Sequence, residues 1–278
     1  MTLFARPALM WVTDRIRSDA PLPELAVAAA GSGIDLIQVR EPGLDRLPLE
    51  LLVRAMATLS GPSTRVLVNS NIDLARKLGV GVHLPESGPS VIAAREVLGP
   101  NALIGRSVHS VESARASEGA SYLIAGHVFE TASKADREPM GLDRFAEIVA
   151  AAPAPVLAIG GITPGRVSLV LDAGAAGVAV LGPLTQENTI RDRAAEYRAA
   201  LEATLSDVAT PRISATINGK PAELLAGTTI ADFLAGRELH ERLVVVERNG
   251  EIIKRATFPD VIIEEGDLLE IVHFVGGG

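Results

Sequence analysis

Eight short apolar runs, each followed by a stretch with apolar residues spaced three and four apart, limit this chain to a fold of alternating strands and helices. The runs lie at 8–12, 36–39, 66–68, 81–84, 102–104, 122–125, 156–159 and 178–181, and the helical spacing is plain over 47–59 and 145–149. Gly33, Gly79, Gly119 and Gly177 stand just before runs, where each would end a helix. Eight such units before residue 206 match the count of a compact (β/α)8 TIM barrel. A doubly wound open sheet also alternates, usually with fewer strands, and stays open as the alternative.

The chain has 278 residues, 47% of them apolar and 22% charged, enough apolar material for a sizeable core. Aromatic residues make up 3%, which argues against a protein built to stack bases or sugars. The net charge of −8 argues against a nucleic-acid or anionic-membrane surface spread over the molecule. With no cysteine, disulfides, thiolate metal sites and a cysteine nucleophile are excluded. The start carries no signal-like segment, and the longest uncharged stretch, 148–165, is broken by Pro153, Pro155, Pro164 and Gly160-Gly161. The expectation is a cytoplasmic protein with no membrane or nucleic-acid partner; whether it forms a homo-oligomer is open.

Composition changes near residue 206, from Ala/Gly/Leu-rich to Ile/Val/Glu-rich. Residues 213–278 hold six Lys or Arg against eleven Asp or Glu, a net −5. We therefore expect a barrel over 1–206, a linker without helical period at 207–212, and a second domain over 213–278. That domain reads as strand (213–217), Asn218-Gly219 turn and strand (220–225), the strongest short hairpin signal. A short helix at 229–235 follows, capped by Thr228 or Thr229 and with Gly236 just past its end. Strand 243–247, the turn Asn249-Gly250 and strand 268–272 complete a small β-grasp (ubiquitin-like) α+β pattern, and the chain stops at Gly276-Gly277-Gly278.

A barrel of this kind places its site at the C-terminal strand ends. Polar residues recur there: Thr13-Asp14, Gln38 with Arg40-Glu41, Asn69, His83, Ser107 with His109, then His127, Thr131, Ser133 and Lys134. Gly160-Gly161 and Gly182 follow the seventh and eighth runs. Bare backbone at a helix start lets a phosphate approach N–H groups, so these glycines are candidate phosphate ligands.

The first part resembles thiamine phosphate synthase and its relatives. The resemblance rests on Trp11–Arg15, Ile37–Glu41, Gly81–Leu84, Gly105–Ser110, Gly126–Thr131 with Lys134, and Ile159–Pro164. In that family a pyrimidine diphosphate is joined to a thiazole phosphate with Mg²⁺, and the pattern has Asn-Asp after strand three and an aspartate shortly after strand four. This chain has Asn69-Ser70 and His83-Leu84-Pro85-Glu86-Ser87-Gly88, so both acidic ligands are missing at the matching places and Glu86, the one candidate substitute, is off the spacing. The lysine that follows the Arg-Glu pair is Pro42 here. His127 stands where the synthase pattern has proline, which resembles the thiazole tautomerase branch. That resemblance implies an isomerase that needs no metal and no cofactor. His127 would shuttle a proton from ring C2 of a thiazole carboxylate phosphate to its exocyclic carbon, making the ring aromatic. Imidazole suits this because it accepts and donates near neutrality. Arg40 would hold the substrate carboxylate. Thr131, Lys134, Gly160, Gly161 and Gly182 would bind the phosphate. The alternatives are a Mg²⁺-dependent synthase and an inactive barrel that scaffolds the second domain. His83 and His109 are read as structural.

The second part resembles the thiamine-pathway sulfur carrier through Asn218-Gly219, Thr228-Thr229-Ile230, Asn249-Gly250-Glu251, Gly266-Asp267 and Glu270–His273. The resemblance implies that an adenylyltransferase partner uses ATP to adenylate Gly278. That carboxylate, at the end of Gly277-Gly278, then becomes a thiocarboxylate and passes sulfur to thiazole synthase.

Overall fold

A computed structural model describes residues 4–131, 137–209, 212–237, 239 and 244–273. Eight parallel strands close on themselves: β1 (Ala8–Val12), β2 (Leu36–Val39), β3 (Arg65–Asn69), β4 (Gly81–Leu84), β5 (Ile104–Val108), β6 (Tyr122–Gly126), β7 (Val156–Ile159) and β8 (Gly177–Val180). Each pairs with the next, and β8 returns to β1 with Ala8 opposite Gly177. This closure excludes the open doubly wound sheet.

Strands buried on both faces read as continuous apolar runs, which is why they were visible in the sequence. Their alternation sorts the core into two layers. Ala8, Met10, Val12, Leu36, Leu67, Tyr122, Ile124 and Leu157 point into the barrel. Leu9, Trp11, Ile37, Val39 and Val82 face the surrounding helices. Gly177 is bare because a Cβ there would meet the Ala8 carbonyl oxygen at 2.2 Å.

The helices are α1 (Leu22–Ala29), α2 (Arg46–Leu59), α3 (Ile72–Leu78), α4 (Val91–Leu98), α5 (Val111–Arg115), α6 (Gly141–Ala151), α7 (Val167–Asp172) and α8 (Glu187–Ala209). Three of these starts carry oxygen caps: Asn71 on α3, Ser90 on α4 and a Ser110/Ser113 capping box on α5. Gly79, at φ +66°, ends α3.

Two expectations need correction. The fifth strand runs Ile104–Val108 rather than 102–104, so Ser107 lies inside it. The less apolar Gly105-Arg106-Ser107 hid the strand, because its upper end turns polar where it meets the barrel mouth. The segment expected to lack helix is helical as far as Ala209. Nothing in Ser206-Asp207-Val208-Ala209 stops a helix, and the breaker, Pro211, lies beyond it.

Contacts divide the chain into Met1–Thr204 and Leu205–Gly278. The second unit has β9 (Arg212–Ile217), β10 (Lys220–Leu225), α9 (Ile230–Gly236), β11 (Val244–Arg248), β12 (Glu251–Ile252) and β13 (Leu268–His273). Its sheet order is β10-β9-β13-β11-β12, with β13 parallel to β9 and the other pairs antiparallel. This is a small β-grasp domain with a mixed sheet. Ile230, Phe233, Leu234, Val244, Val246, Phe258, Ile263 and Leu269 fill its core. Both Asn-Gly turns have positive φ at each residue, as a two-residue hairpin loop of this hand requires. Thr229 and Asp232 cap α9 reciprocally: each backbone N–H donates to the other's side-chain oxygen. The two-residue strand β12 was too short to show as a periodic run.

Candidate functional site

The expected polar residues that are described lie at the strand ends around the barrel mouth; Ser133 and Lys134 fall outside the described residues. Glu41 is buried and committed, accepting from Thr13 Oγ1 at 2.5 Å and from the Arg15 N–H at 3.2 and 3.1 Å. Gln38 donates to Asn69 Oδ1 at 2.9 Å, and Asn69 donates on to Ser70 Oγ at 2.9 Å. Arg40 is exposed after β2, and its N–H donates to Thr13 Oγ1 at 3.1 Å. A cavity of about 700 Å³ between the loops after β2 and β3 is lined by Glu41, Pro42, Asn69, Ser70, Asn71 and Asp73.

The donor set for Mg²⁺ is poor here. Asn69 is followed by Ser70 where the family pattern has aspartate, Glu86 is the one acidic residue in the run 83–88 after β4, and Glu41 already serves main-chain and hydroxyl donors. Among the described residues no three acidic or histidine side chains gather as a metal cluster. Mg²⁺ prefers hard carboxylate oxygens; Asn69 and Ser70 supply none, and Asp73 is the other carboxylate lining the cavity.

Glu86 is also engaged. Its Oε1 accepts from the His109 N–H at 3.0 Å and its Oε2 faces His109 Nδ1 at 2.8 Å. Burial pushes its carboxyl up, but hydrogen bonds from Ser113 and His109 outweigh this and leave it below the usual carboxylate range. The sequence reading had not paired Glu86 with His109; the two are 23 positions apart and meet only because β4 and β5 are neighbours.

His83 is 1% exposed. Its Nδ1 lies 3.1 Å from Tyr122 Oη and its Nε2 2.8 Å from Ser107 Oγ. Burial, with Arg40 nearby adding to it, drives the ring's pKa down to about 3. Gly105 makes this possible, because a Cβ there would meet the Tyr122 ring at 2.1 Å. The available signal was a glycine inside a strand, which often marks a close approach.

His127 follows β6 and is 7% exposed. Its Nε2 lies 3.1 Å from the Arg137 carbonyl oxygen, and its own carbonyl accepts from the Met140 N–H. A cavity of about 390 Å³ beside it is lined also by His109, Arg137, Met140 and Arg144. The two arginines were not singled out from the sequence.

The loops after β6 and β7 are joined. Val128 N–H donates to the Ile159 carbonyl at 2.9 Å, and Phe129 N–H to the Gly160 carbonyl at 3.1 Å. A Cβ on Gly160 would meet His127 Cβ at 2.1 Å, and one on Gly161 would meet the Glu130 carbonyl oxygen at 2.4 Å. Both glycines also have positive φ, +96° and +65°. Close packing of the two loops therefore accounts for both, whatever else they do. Arg166 donates to the Gly161 carbonyl at 2.9 Å and stacks 4.8 Å from the Phe129 ring centroid. Tyr197 of α8 donates to the Ile162 carbonyl at 2.8 Å. Gly182 differs: no atom lies within 4 Å of where its Cβ would be. Thr131 is half-buried at the edge of the described segment, and Lys134, Gly277 and Gly278 lie outside the described residues.

The sequence profile described as "Thiamine monophosphate synthase" matches residues 9–184, and that of the "ThiS family" matches residues 215–278. A thiamine biosynthesis bifunctional protein ThiM/ThiE of Symbiobacterium thermophilum is 42% identical over 172 residues, which are 59% of this chain and 35% of that protein. A thiamine-phosphate synthase of Haloarcula marismortui is 39% identical over 187 residues, covering 64% of this chain and 89% of that one. A solved thiamine phosphate pyrophosphorylase from Pyrococcus furiosus superposes with a TM-score of 0.63 at 31% identity, over 72% of this chain and 97% of that one. With the barrel matched from its first strand to the turn after its eighth, the chain belongs to the thiamine monophosphate synthase family and carries a ThiS-family domain behind the barrel.

Proposed function

We propose that the chain serves thiamine biosynthesis twice: its barrel aromatises a thiazole carboxylate that bears an ethyl phosphate tail, and its second domain carries sulfur. The observation that carries the first part is the ring of His127. Only a protonated Nε2 can bond a carbonyl, so a neutral ring keeps Nδ1 as an acceptor, to which none of the described residues donates, and the residue lines the cavity. In this reading Nδ1 takes the proton from ring C2, and the electron pair moves through the ring to the exocyclic carbon. That carbon receives a proton from the same imidazolium, which returns the base to its starting state. The phosphate is held at Gly160, Gly161 and Gly182 with Thr131 and Lys134. Gly182 supports this, because neither packing nor a positive φ requires glycine there.

A second reading, coupling of a pyrimidine diphosphate to a thiazole phosphate, is favoured by the names of the relatives. Against it stand Ser70 and Pro42 at the family's acidic and lysine positions, the lack of an aspartate in the run 83–88, and the engaged oxygens of Glu41 and Glu86. The sulfur-carrier part rests on the ThiS-family match through Gly278, whose carboxylate a partner adenylyltransferase activates with ATP for delivery to thiazole synthase.

Incubating the purified chain with the non-aromatic thiazole carboxylate phosphate and following ultraviolet absorbance tests the barrel. Aromatisation is expected without added metal, and His127→Asn lowers kcat by about 10²–10⁴. An undiminished rate in that variant overturns the reading, and so does Mg²⁺-dependent coupling without aromatisation.

A further inference from the structure

One fully buried polar group inside the barrel is not used by that chemistry. Tyr122 is fully buried, and its hydroxyl has one recorded partner among the described residues, His83 Nδ1. A buried phenol must donate its proton, because leaving it unmet costs about 1–3 kcal/mol. The acceptor is then His83 Nδ1, so the ring's own proton sits on Nε2. Nε2–H donates to Ser107 Oγ, which spends an acceptor position of Ser107 and leaves its hydroxyl proton unclaimed among the described residues. The opposite tautomer would strand the phenol proton. The ring stays neutral under ordinary conditions, because burial has driven its pKa to about 3. Acid therefore does not reverse this order near neutrality.

Ser107 is half-buried in the upper part of β5, beside the strand that delivers His127, while His83 and Tyr122 close the side beneath it. Arg40 lies near enough to weigh on the His83 ring. An exposed guanidinium and an unspent hydroxyl proton are two donors of the kind an anionic oxygen takes.

We propose that Tyr122 and His83 are positioning residues that orient the Ser107 hydroxyl as a hydrogen-bond donor to the substrate carboxylate, alongside Arg40. This rests on the reading of the substrate given above. The chain of donors is Tyr122 Oη–H to His83 Nδ1, His83 Nε2–H to Ser107 Oγ, and Ser107 Oγ–H to the carboxylate. No proton changes owner along it.

The test has two arms on the full-length protein. Long-range ¹H–¹⁵N correlation of the histidine rings should find His83 protonated at Nε2 and bare at Nδ1, and a ring protonated at Nδ1 overturns the proposal. Binding of the aromatic thiazole carboxylate phosphate is then compared with that of its analogue lacking the carboxylate. Ser107→Ala should weaken the carboxylate compound about 10- to 100-fold and leave the analogue within about twofold. Tyr122→Phe, which removes only one oxygen, should weaken the carboxylate compound in the same direction and shift the His83 tautomer. Equal weakening of both compounds, or of neither, overturns the proposal. If the wild type binds neither compound, the substrate reading fails and the carboxylate fails with it as Ser107's partner. The ring measurement still decides the direction of the hydroxyl.

Discussion

His83 gives the protein a measurable acid sensitivity. Its pKa falls from 6.5 to about 3 on folding, through burial and then Arg40. Between those values the unfolded chain binds a proton that the folded one refuses, so stability drops as pH falls through that window. The slope from this one group is at most about 1.4 kcal/mol per pH unit. Denaturant titrations between pH 6.5 and 4 should show a shallower loss in His83→Gln than in the wild type, and equal slopes would refute this. The histidine's place at the fourth strand end was legible in the sequence, but its confinement was not. That depends on Gly105 and Tyr122, two positions that no local pattern links to residue 83. The same holds for Glu86, whose pairing with His109 no local pattern announces and which the fold creates by setting His109 against both its oxygens.

At the scale of elements, Arg198 does much to fasten α8 to the lower rim, where Glu202 of the same helix also pairs with Arg6. Arg198 is buried, donates to the carbonyls of Pro7 and Gly33, and pairs with Asp35. Arg198→Met leaves those oxygens unmet and should cost about 3–5 kcal/mol, read as a shift of the urea midpoint. In the small domain, Thr229→Ala removes half of the reciprocal cap on α9 and should cost about 1 kcal/mol. A change below about 0.3 kcal/mol would mean that Asp232 alone suffices. Strand and helix identities were readable because full burial leaves long apolar runs and amphipathic helices leave spaced ones. Element ends were less readable: β5 extends into Arg106 and Ser107 because a strand that reaches a polar mouth must end in polar residues. α8 passes the composition break at 206 because a helix stops at a breaker rather than at a change of composition.

Across the whole molecule, charge is divided unevenly, with −5 of the total −8 lying in residues 213–278. If that domain docks on a basic adenylating partner, the association rate should fall steeply as salt rises from 50 to about 300 mM, while aromatisation stays nearly constant. Deleting Gly277-Gly278 should abolish thiocarboxylate formation, read by intact-mass analysis, and leave the ultraviolet assay of the barrel unchanged. The seam between the loops after β6 and β7 has a consequence for how such a barrel can change over generations. With main chains touching at Gly160 and His127, the residue proposed to move protons and the turn expected to grip the phosphate shift as one piece. A mutation that loosens anchorage of the tail also misaligns the reacting ring, so affinity and turnover in this lineage are not free to drift apart.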